Sequence, residues 1–149
     1  MKLYHTSPDE IKKIEKYGFF DDMLFFAVDP YEMSVGKTLL YSIDIGEDKI
    51  LTISQLFYDH FSEEIQEIID HVMRMLGCDE ETAMDLLDDS VSGIDTDMDS
   101  ADASWFIQTQ QGHIARELGY LAASGRDEQG QVYIVPMCGK ETLLTKEDW

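Results

Sequence analysis

Two short stretches of the chain carry side chains suited to chemistry. Near the N-terminus, Leu3-Tyr4-His5-Thr6-Ser7 sets an imidazole and two hydroxyls at the end of an expected strand, Lys2 to Thr6. Such a cluster can hold a polar ligand where the backbone leaves a sheet. Equally, His5 can be satisfied by main chain while Ser7 caps a following helix, and the two roles are compatible if Ser7 caps while His5 and Thr6 bind. Near the C-terminus, GRDEQGQVYIV puts Asp127 and Glu128 before a glycine and an alternating run. Adjacent strand residues point to opposite faces, so one of the two addresses a given cleft. A carboxylate there can stabilise a developing cation or accept a proton from a nucleophile. The plain alternative is that Asp and Gly simply serve the turn.

Aromatic residues supply a third candidate. In Leu24-Phe25-Phe26-Ala27 a strand would send one phenylalanine into the core and leave the other to line a cleft, where it can stack on a planar ring. Tyr31 and Tyr41 are weaker candidates of the same kind. Other chemistries lack their residues. His60 and His71 stand eleven apart with no thiolate or histidine pair at ligand spacing, so no zinc site is expected. The acidic DTDMDSAD lacks the glycine and terminal glutamate of an EF-hand loop. There is no phosphate-cradling glycine loop, no GxSxG and no cysteine-centred triad.

Elements that could position these residues follow from periodicity. SPDEIKKIEKYG reads as a capped helix, with Ser7 at the cap, Pro8 in the first position, Glu10 completing a capping box and Gly18 as the stop. MLFFAV and TLLYSIDI are strands, PYEMSVG a helical turn or loop, and Leu51 to Ile53 a further short strand. Behind Ser62, the residues Ile65, Ile68, Ile69, Val72, Met73 and Leu76 recur at helical spacing, and a second helix follows Asp79. After the acidic loop DDSVSGIDTDMDSAD, a third helix runs from Asp102 to Leu118, burying Ala103, Phe106, Ile107, Ile114 and Leu118 and stopping near Gly119. Tyr120 to Ala123 and Gln131 to Met137 are strands flanking SGRDEQG, a hairpin loop longer than two residues. Strands at both ends and helices between them give an α+β fold.

The chain has 149 residues, enough for one domain to bury a core without staples. Its 31 acids and 11 lysines and arginines leave a net charge of −20. Fifteen of the acids and one basic residue, Arg74, lie between Asp59 and Asp102, so a single domain over 1–149 is expected to carry an acidic helical insert at about 59–102. Repulsion from phosphates argues against direct nucleic-acid contact; the same charge suits docking on a basic protein surface, or mimicry of nucleic acid. The opening residues have no signal-peptide pattern and no apolar run approaches membrane-spanning length, so the expected location is the cytosol. Cys78 and Cys138 are expected to be two buried, reduced thiols.

Taken in order, LYHTS, LFFAVDPYEMSVGKTL and LGYLAASGRDEQGQVYIV resemble an ADP-ribosyltransferase, and within that superfamily the phage-type anti-CRISPR enzymes that act on type I-F surveillance complexes. The likeness spans roughly Leu3 to Gly139. It implies an NAD cleft between small antiparallel sheets, no metal, and His5 on the adenosine side of the cofactor with Thr6 and Ser7 nearby. It implies Phe25 beside nicotinamide, and Ser34 as the serine of the small helix that follows. Asp127, with Glu128 second, would activate the nicotinamide ribose. Family members commonly have tyrosine where Phe25 stands, a second tyrosine further along and glutamate as the key acid; this chain departs on all three. The resemblance further implies a protein target in the host bacterial cytosol, the subunit that reads the PAM, whose basic DNA-binding surface the acidic helices would approach. Two alternatives stand beside it: a non-enzymatic acidic DNA mimic, and an ADP-ribosylating toxin with another target.

Overall fold

The computed structural model describes residues 1–7, 19–28, 39–59, 62–90, 100–127 and 130–147. Two sheets and a helical layer stack in three tiers. The smaller sheet, in the order β1-β3-β7, joins β1 (Lys2–Ser7), β3 (Leu39–Asp44) and β7 (Thr145–Glu147), all antiparallel. The larger sheet has the order β2-β6-β5-β4, built from β2 (Phe19–Phe26), β6 (Gly130–Pro136), β5 (Ala122–Asp127) and β4 (Ile50–Thr52).

This larger sheet is mixed, whereas small antiparallel sheets were expected: β4 and β5 run parallel, pairing Ile50 with Ala122 and Thr52 with Ser124. Parallel neighbours need a long crossover. Here the whole helical section supplies it, through α1 (Leu56–Asp59), α2 (Glu63–Leu76), α3 (Glu80–Leu87) and α4 (Ser100–Glu117).

The larger sheet is the middle tier. One face packs on the smaller sheet through Leu3, Phe26, Ile43, Tyr133, Val135 and Met137. The other packs on the helices, where Met23, Leu51, Ala123, Val132 and Ile134 meet Ile65, Ile69, Val72, Leu76, Leu86 and Ile114. The helix behind Ser62 forms as its spacing predicts: Ser62 Oγ accepts from the Ile65 N–H at 3.3 Å, and Ile65, Ile69, Val72 and Leu76 are buried. It stops at Gly77, whose φ of 65° is left-handed and open to glycine without steric cost. Asp79 caps the next helix by accepting from the Thr82 N–H at 2.8 Å.

α4 departs from its expected pattern. Ile107 and Ile114 are buried, but Ala103, Phe106 and Leu118 only partly so, while Gln108, Thr109, Gln110 and Gln111 are buried in succession. Four consecutive helical residues face every direction, so their burial means that α4 is enclosed on all sides at its middle. It lies against β2, β5 and β6 on one side and α2 and α3 on the other. Gly112 permits the close approach to the sheet, since a Cβ there would lie 2.9 Å from Ile134 Cγ2 and collide with Met23.

Three further expectations are corrected. Strand β2 begins at Phe19 rather than at Met23. Strand β5 runs on through Ser124 to Asp127, which pairs with Gly130, so Ser124, Gly125, Arg126 and Asp127, expected in the loop SGRDEQG, belong to the strand. Cys78 and Cys138 are both free, as expected, but Cys138 is exposed and Cys78 half-buried. The helix expected over SPDEIKKIEKYG, the turn PYEMSVG and most of DDSVSGIDTDMDSAD lie outside the described residues.

Candidate functional site

The two sheets touch along β1 and β2. An antiparallel bridge joins Tyr4 and Ala27 through two main-chain hydrogen bonds of 2.8 and 2.9 Å. His5 follows directly. Its Nδ1–H donates to the Phe25 carbonyl at 2.8 Å, and its ring lies 5.5 Å from that of Phe26. A carbonyl can only accept, so Nδ1 carries the proton and Nε2 is left as an acceptor. Burial pushes the imidazole below its usual range, against a smaller opposing effect of the Phe25 carbonyl, so the ring is neutral at pH 7.

Strand alternation separates the other residues of this cluster. His5 shares its face of β1 with Leu3, which sits in the core between the sheets, whereas Thr6 belongs to the opposite face. Thr6 is 3% exposed, and its hydroxyl has no hydrogen-bond partner among the described residues. Ser7 ends β1 on the His5 face and is buried.

The two phenylalanines divide between the two cores. Phe26 is buried between the sheets beside His5, and Phe25 is half-buried against the helical core. Phe25 therefore meets His5 through its carbonyl, while its ring lies on the other side of the sheet. Ser34 and Glu128 lie outside the described residues.

Asp127 ends β5 on the rung it shares with Gly130. Phe25 stands on the rung that runs through Ile134 to Ala123. Four residues along β5 and two strands across separate the two backbones by about 16 Å, at ~3.3 Å per residue and ~4.8 Å per strand. His5 and Phe25 thus adjoin one another, whereas Asp127 could share a ligand with them only if that ligand were extended.

The rungs below Asp127 hold a polar cluster that periodicity does not reveal. Gln111 is 1% exposed; its Nε2 donates to the Leu87 carbonyl at 3.1 Å and to Asp89 Oδ1 at 2.9 Å, while Oε1 has no hydrogen-bond partner among the described residues. Asp89 has a left-handed φ of 61°. The sequence signal for the cluster is the run Gln108-Thr109-Gln110-Gln111, too polar for the buried middle of an amphipathic helix.

Asp22 was also missed. Its side chain is fully buried in β2, with Oδ2 accepting from the Arg116 guanidinium and from the Cys138 N–H at 3.0 Å. Burial pushes its carboxyl up, but Arg116 and the Cys138 N–H outweigh that and hold it below the usual carboxylate range. The pair pins the last turn of α4 to the middle sheet. An acid inside the apolar run FFDDMLFF was the available clue.

Among the described residues, no group of three or more His, Cys, Asp or Glu side chains is positioned to hold a metal ion, and no helix is long and apolar enough to cross a membrane. No protein-family model matches the chain, and no curated protein matches it. Among solved structures it is similar to an anti-CRISPR protein known from a crystal structure, at 26% sequence identity and a TM-score of 0.60, and the likeness spans 99% of this chain and 95% of that one.

Proposed function

We propose that this protein inhibits a CRISPR effector complex, and that it does so as an NAD-dependent mono-ADP-ribosyltransferase acting on a protein subunit of that complex. The observation that carries the inhibitory role is the structural likeness to an anti-CRISPR protein along nearly the whole of both chains. The enzymatic role rests on the resemblance of the three motifs to ADP-ribosyltransferases. Its support in the geometry is a neutral, half-buried His5 at the junction of two small sheets, oriented by the Phe25 carbonyl with Nε2 left to accept from a ribose hydroxyl.

In this reading NAD supplies the ADP-ribose. Departure of nicotinamide leaves positive charge at the ribose carbon, and the Asp127 carboxylate, with Glu128 as the second candidate, stabilises it while a target side chain attacks. His5 binds and orients the cofactor, with Ser7 on the same face of β1 and Ser34 as further contacts; Phe25 contributes its carbonyl to His5, while its ring and the Thr6 side chain stand on other faces and are not assigned to the same pocket. Target and acceptor are a basic DNA-reading surface and a side chain upon it, approached by the exposed acids Glu63, Glu64, Glu67, Asp70, Glu80 and Glu81.

The test is calorimetry of NAD with the wild-type and His5→Ala proteins, followed by transfer from labelled NAD to a purified type I-F surveillance complex by wild type and Asp127→Ala. Saturable NAD binding that is lost without His5, and transfer that is lost without Asp127, is the expected pattern. Inhibition of DNA binding that needs no NAD and survives Asp127→Ala would instead establish the second reading, an acidic mimic of nucleic acid, which the exposed acids of α2 and α3 favour.

A further inference from the structure

The face of the larger sheet that looks toward the smaller one changes character along a single rung. Register sets Phe26, Tyr133, Ser124 and Thr52 side by side across β2, β6, β5 and β4. All four share that face: Phe26, Tyr133 and Ala122 pack between the sheets with Ile50 against them, and alternation puts Ser124 with Ala122 and Thr52 with Ile50. His5 meets the first of the four, its ring 5.5 Å from that of Phe26. Phe26 and Tyr133 are buried, Ser124 is half-buried and Thr52 is exposed, so the apolar core between the sheets ends at Tyr133 on this rung. Gln131, one row further along β6 on the same face, is exposed, and its amide lies 2.6 Å from the Ser124 hydroxyl. Thr52 stands in the capping position of the 3-10 turn Ile53–Gln55, yet its side chain makes no capping hydrogen bond.

The groups left facing outward are neutral and of both kinds. With the amide N–H donating to Ser124 Oγ, the serine keeps a free hydrogen and the amide oxygen remains an acceptor. In the reverse arrangement, with the serine donating to the amide oxygen, an NH2 and the serine lone pairs are left. Either orientation presents a donor beside an acceptor, and Thr52 adds a hydroxyl that serves as both. A phosphate or carboxylate only accepts and an ammonium only donates, so each leaves one side unanswered. A carboxamide offers both but holds them in one plane, whereas these three groups rise from three strands. Two adjacent hydroxyls, each free to rotate, match them. Ser124 lies two strands from Phe26, about 10 Å at ~4.8 Å per strand, so a ligand that engages both His5 and this end is extended. We propose that Ser124, Gln131 and Thr52 bind the vicinal diol of a ribose, at the end of the His5 site remote from the imidazole. The proposal rests on the NAD reading above, in which NAD carries a ribose on either side of its diphosphate.

Calorimetry on the full-length protein tests it with NAD and two analogues, one lacking the 2′-hydroxyl of the nicotinamide ribose and the other that of the adenosine ribose. The variant combines Thr52→Val, Ser124→Ala and Gln131→Leu, none of them at a buried position, and circular dichroism checks its fold. It should bind NAD at least tenfold more weakly than the wild type, as expected for two or more neutral hydrogen bonds lost. Its penalty should shrink at least threefold for one of the two analogues, and that analogue identifies the ribose. Gln131→Leu alone, at an exposed position, is the second variant and should lose at least threefold in NAD affinity.

NAD bound equally by the wild type and both variants removes this site and keeps the NAD reading. A penalty of the same size for NAD and both analogues also overturns the proposal, because the three groups would then act without touching a ribose hydroxyl. Absence of NAD binding by the wild type removes the NAD reading, and ADP-ribose, which keeps both diols, becomes the probe. Binding of ADP-ribose that is lost in the combined variant keeps the site, whereas binding that is absent or unchanged overturns it.

Discussion

Replacing Arg116 by methionine should destabilise the protein strongly at neutral pH and much less in acid. Asp22 has a fully buried side chain, and Arg116 and the Cys138 N–H are the groups that compensate its charge. Removing one partner of a buried ion pair costs about 3–5 kcal/mol, because the other charge is left without compensation. The Arg116 side chain keeps 30% exposure, so water can partly replace it, and the lower end, about 3 kcal/mol, is expected. At about 2–4 °C per kcal/mol for a chain of this length, the melting temperature should fall by roughly 6–12 °C.

The pH dependence has a definite sign. In the wild type the folded carboxyl titrates below its ordinary value of 3.8, so its contribution is present above that pH and is lost as pH falls through the folded value. In Arg116→Met, burial acts with far less opposition and raises the folded pKa, so stability is lost as pH rises above 3.8. The gap between the two proteins therefore widens from acid to neutral. Urea unfolding followed by circular dichroism at pH 4.5 and pH 7 measures it. Asp22→Asn in the Arg116→Met background should recover most of the loss at pH 7, since the amide oxygen still accepts from Cys138. A cost below about 1 kcal/mol at pH 7, or one equal at both pH values, would refute the reasoning, which rests on an uncompensated buried charge.

Two other outcomes follow from packing and protonation. Gly112→Ala should gain about 1 kcal/mol of helix propensity yet lose about 1–3 kcal/mol to the forced displacement of Met23 and Ile134, a net loss of about 1 kcal/mol in chemical denaturation; a stabilised variant would mean that α4 stands further from the sheet. Nitrogen-detected NMR should find His5 in the Nδ1–H tautomer and titrating below its ordinary value of 6.5, so that stability falls as pH is lowered from 6.5 toward the folded pKa; an Nε2–H tautomer at pH 7 would break the hydrogen bond assigned to Phe25.

What could be read from the sequence divides along physical lines. Helices α2 and α3 were legible because each has an apolar stripe at helical spacing and a capping side chain, Ser62 or Asp79, and both signals are local. β3 and β4 were legible as short apolar runs. The ends of β2 and β5 were not. FFDD at the start of β2 looks unlike a strand until Arg116, ninety-four residues away, neutralises Asp22. Gly125 in β5 looks like a turn until Gln111 and Asp89 are seen against it. In both cases a distant partner reverses the local preference, as expected where tertiary contacts outweigh β propensity. β7, a three-residue strand with no buried residue, has no pattern to find. The division of His5 and Thr6 between opposite faces followed from alternation alone once Lys2–Ser7 was a strand, but the hydroxyls drew attention as one cluster.

The distribution of charge makes the acidic face and the surroundings of His5 separable by mutation in this protein. On α2 the buried positions are Ile65, Ile69, Val72 and Leu76, and on α3 Ala83, Leu86 and Leu87, while Glu63, Glu64, Glu67, Asp70, Glu80 and Glu81 are exposed. The inner faces hold the helices on the middle sheet, so the outer acids can be exchanged for glutamines without opening the core. Their mutual repulsion across a chain of net charge −20 opposes the compact state rather than building it. His5 and Phe25 lie on strands, and neither meets an acid of α2 or α3 in the hydrogen bonds and ring contacts that orient His5. A partner recognised through the acidic face would therefore lose association rate and salt sensitivity when that face is neutralised, with the His5 site left intact. A protein acting only as a nucleic-acid mimic would lose all of its effect by the same change, because it has no second step to retain.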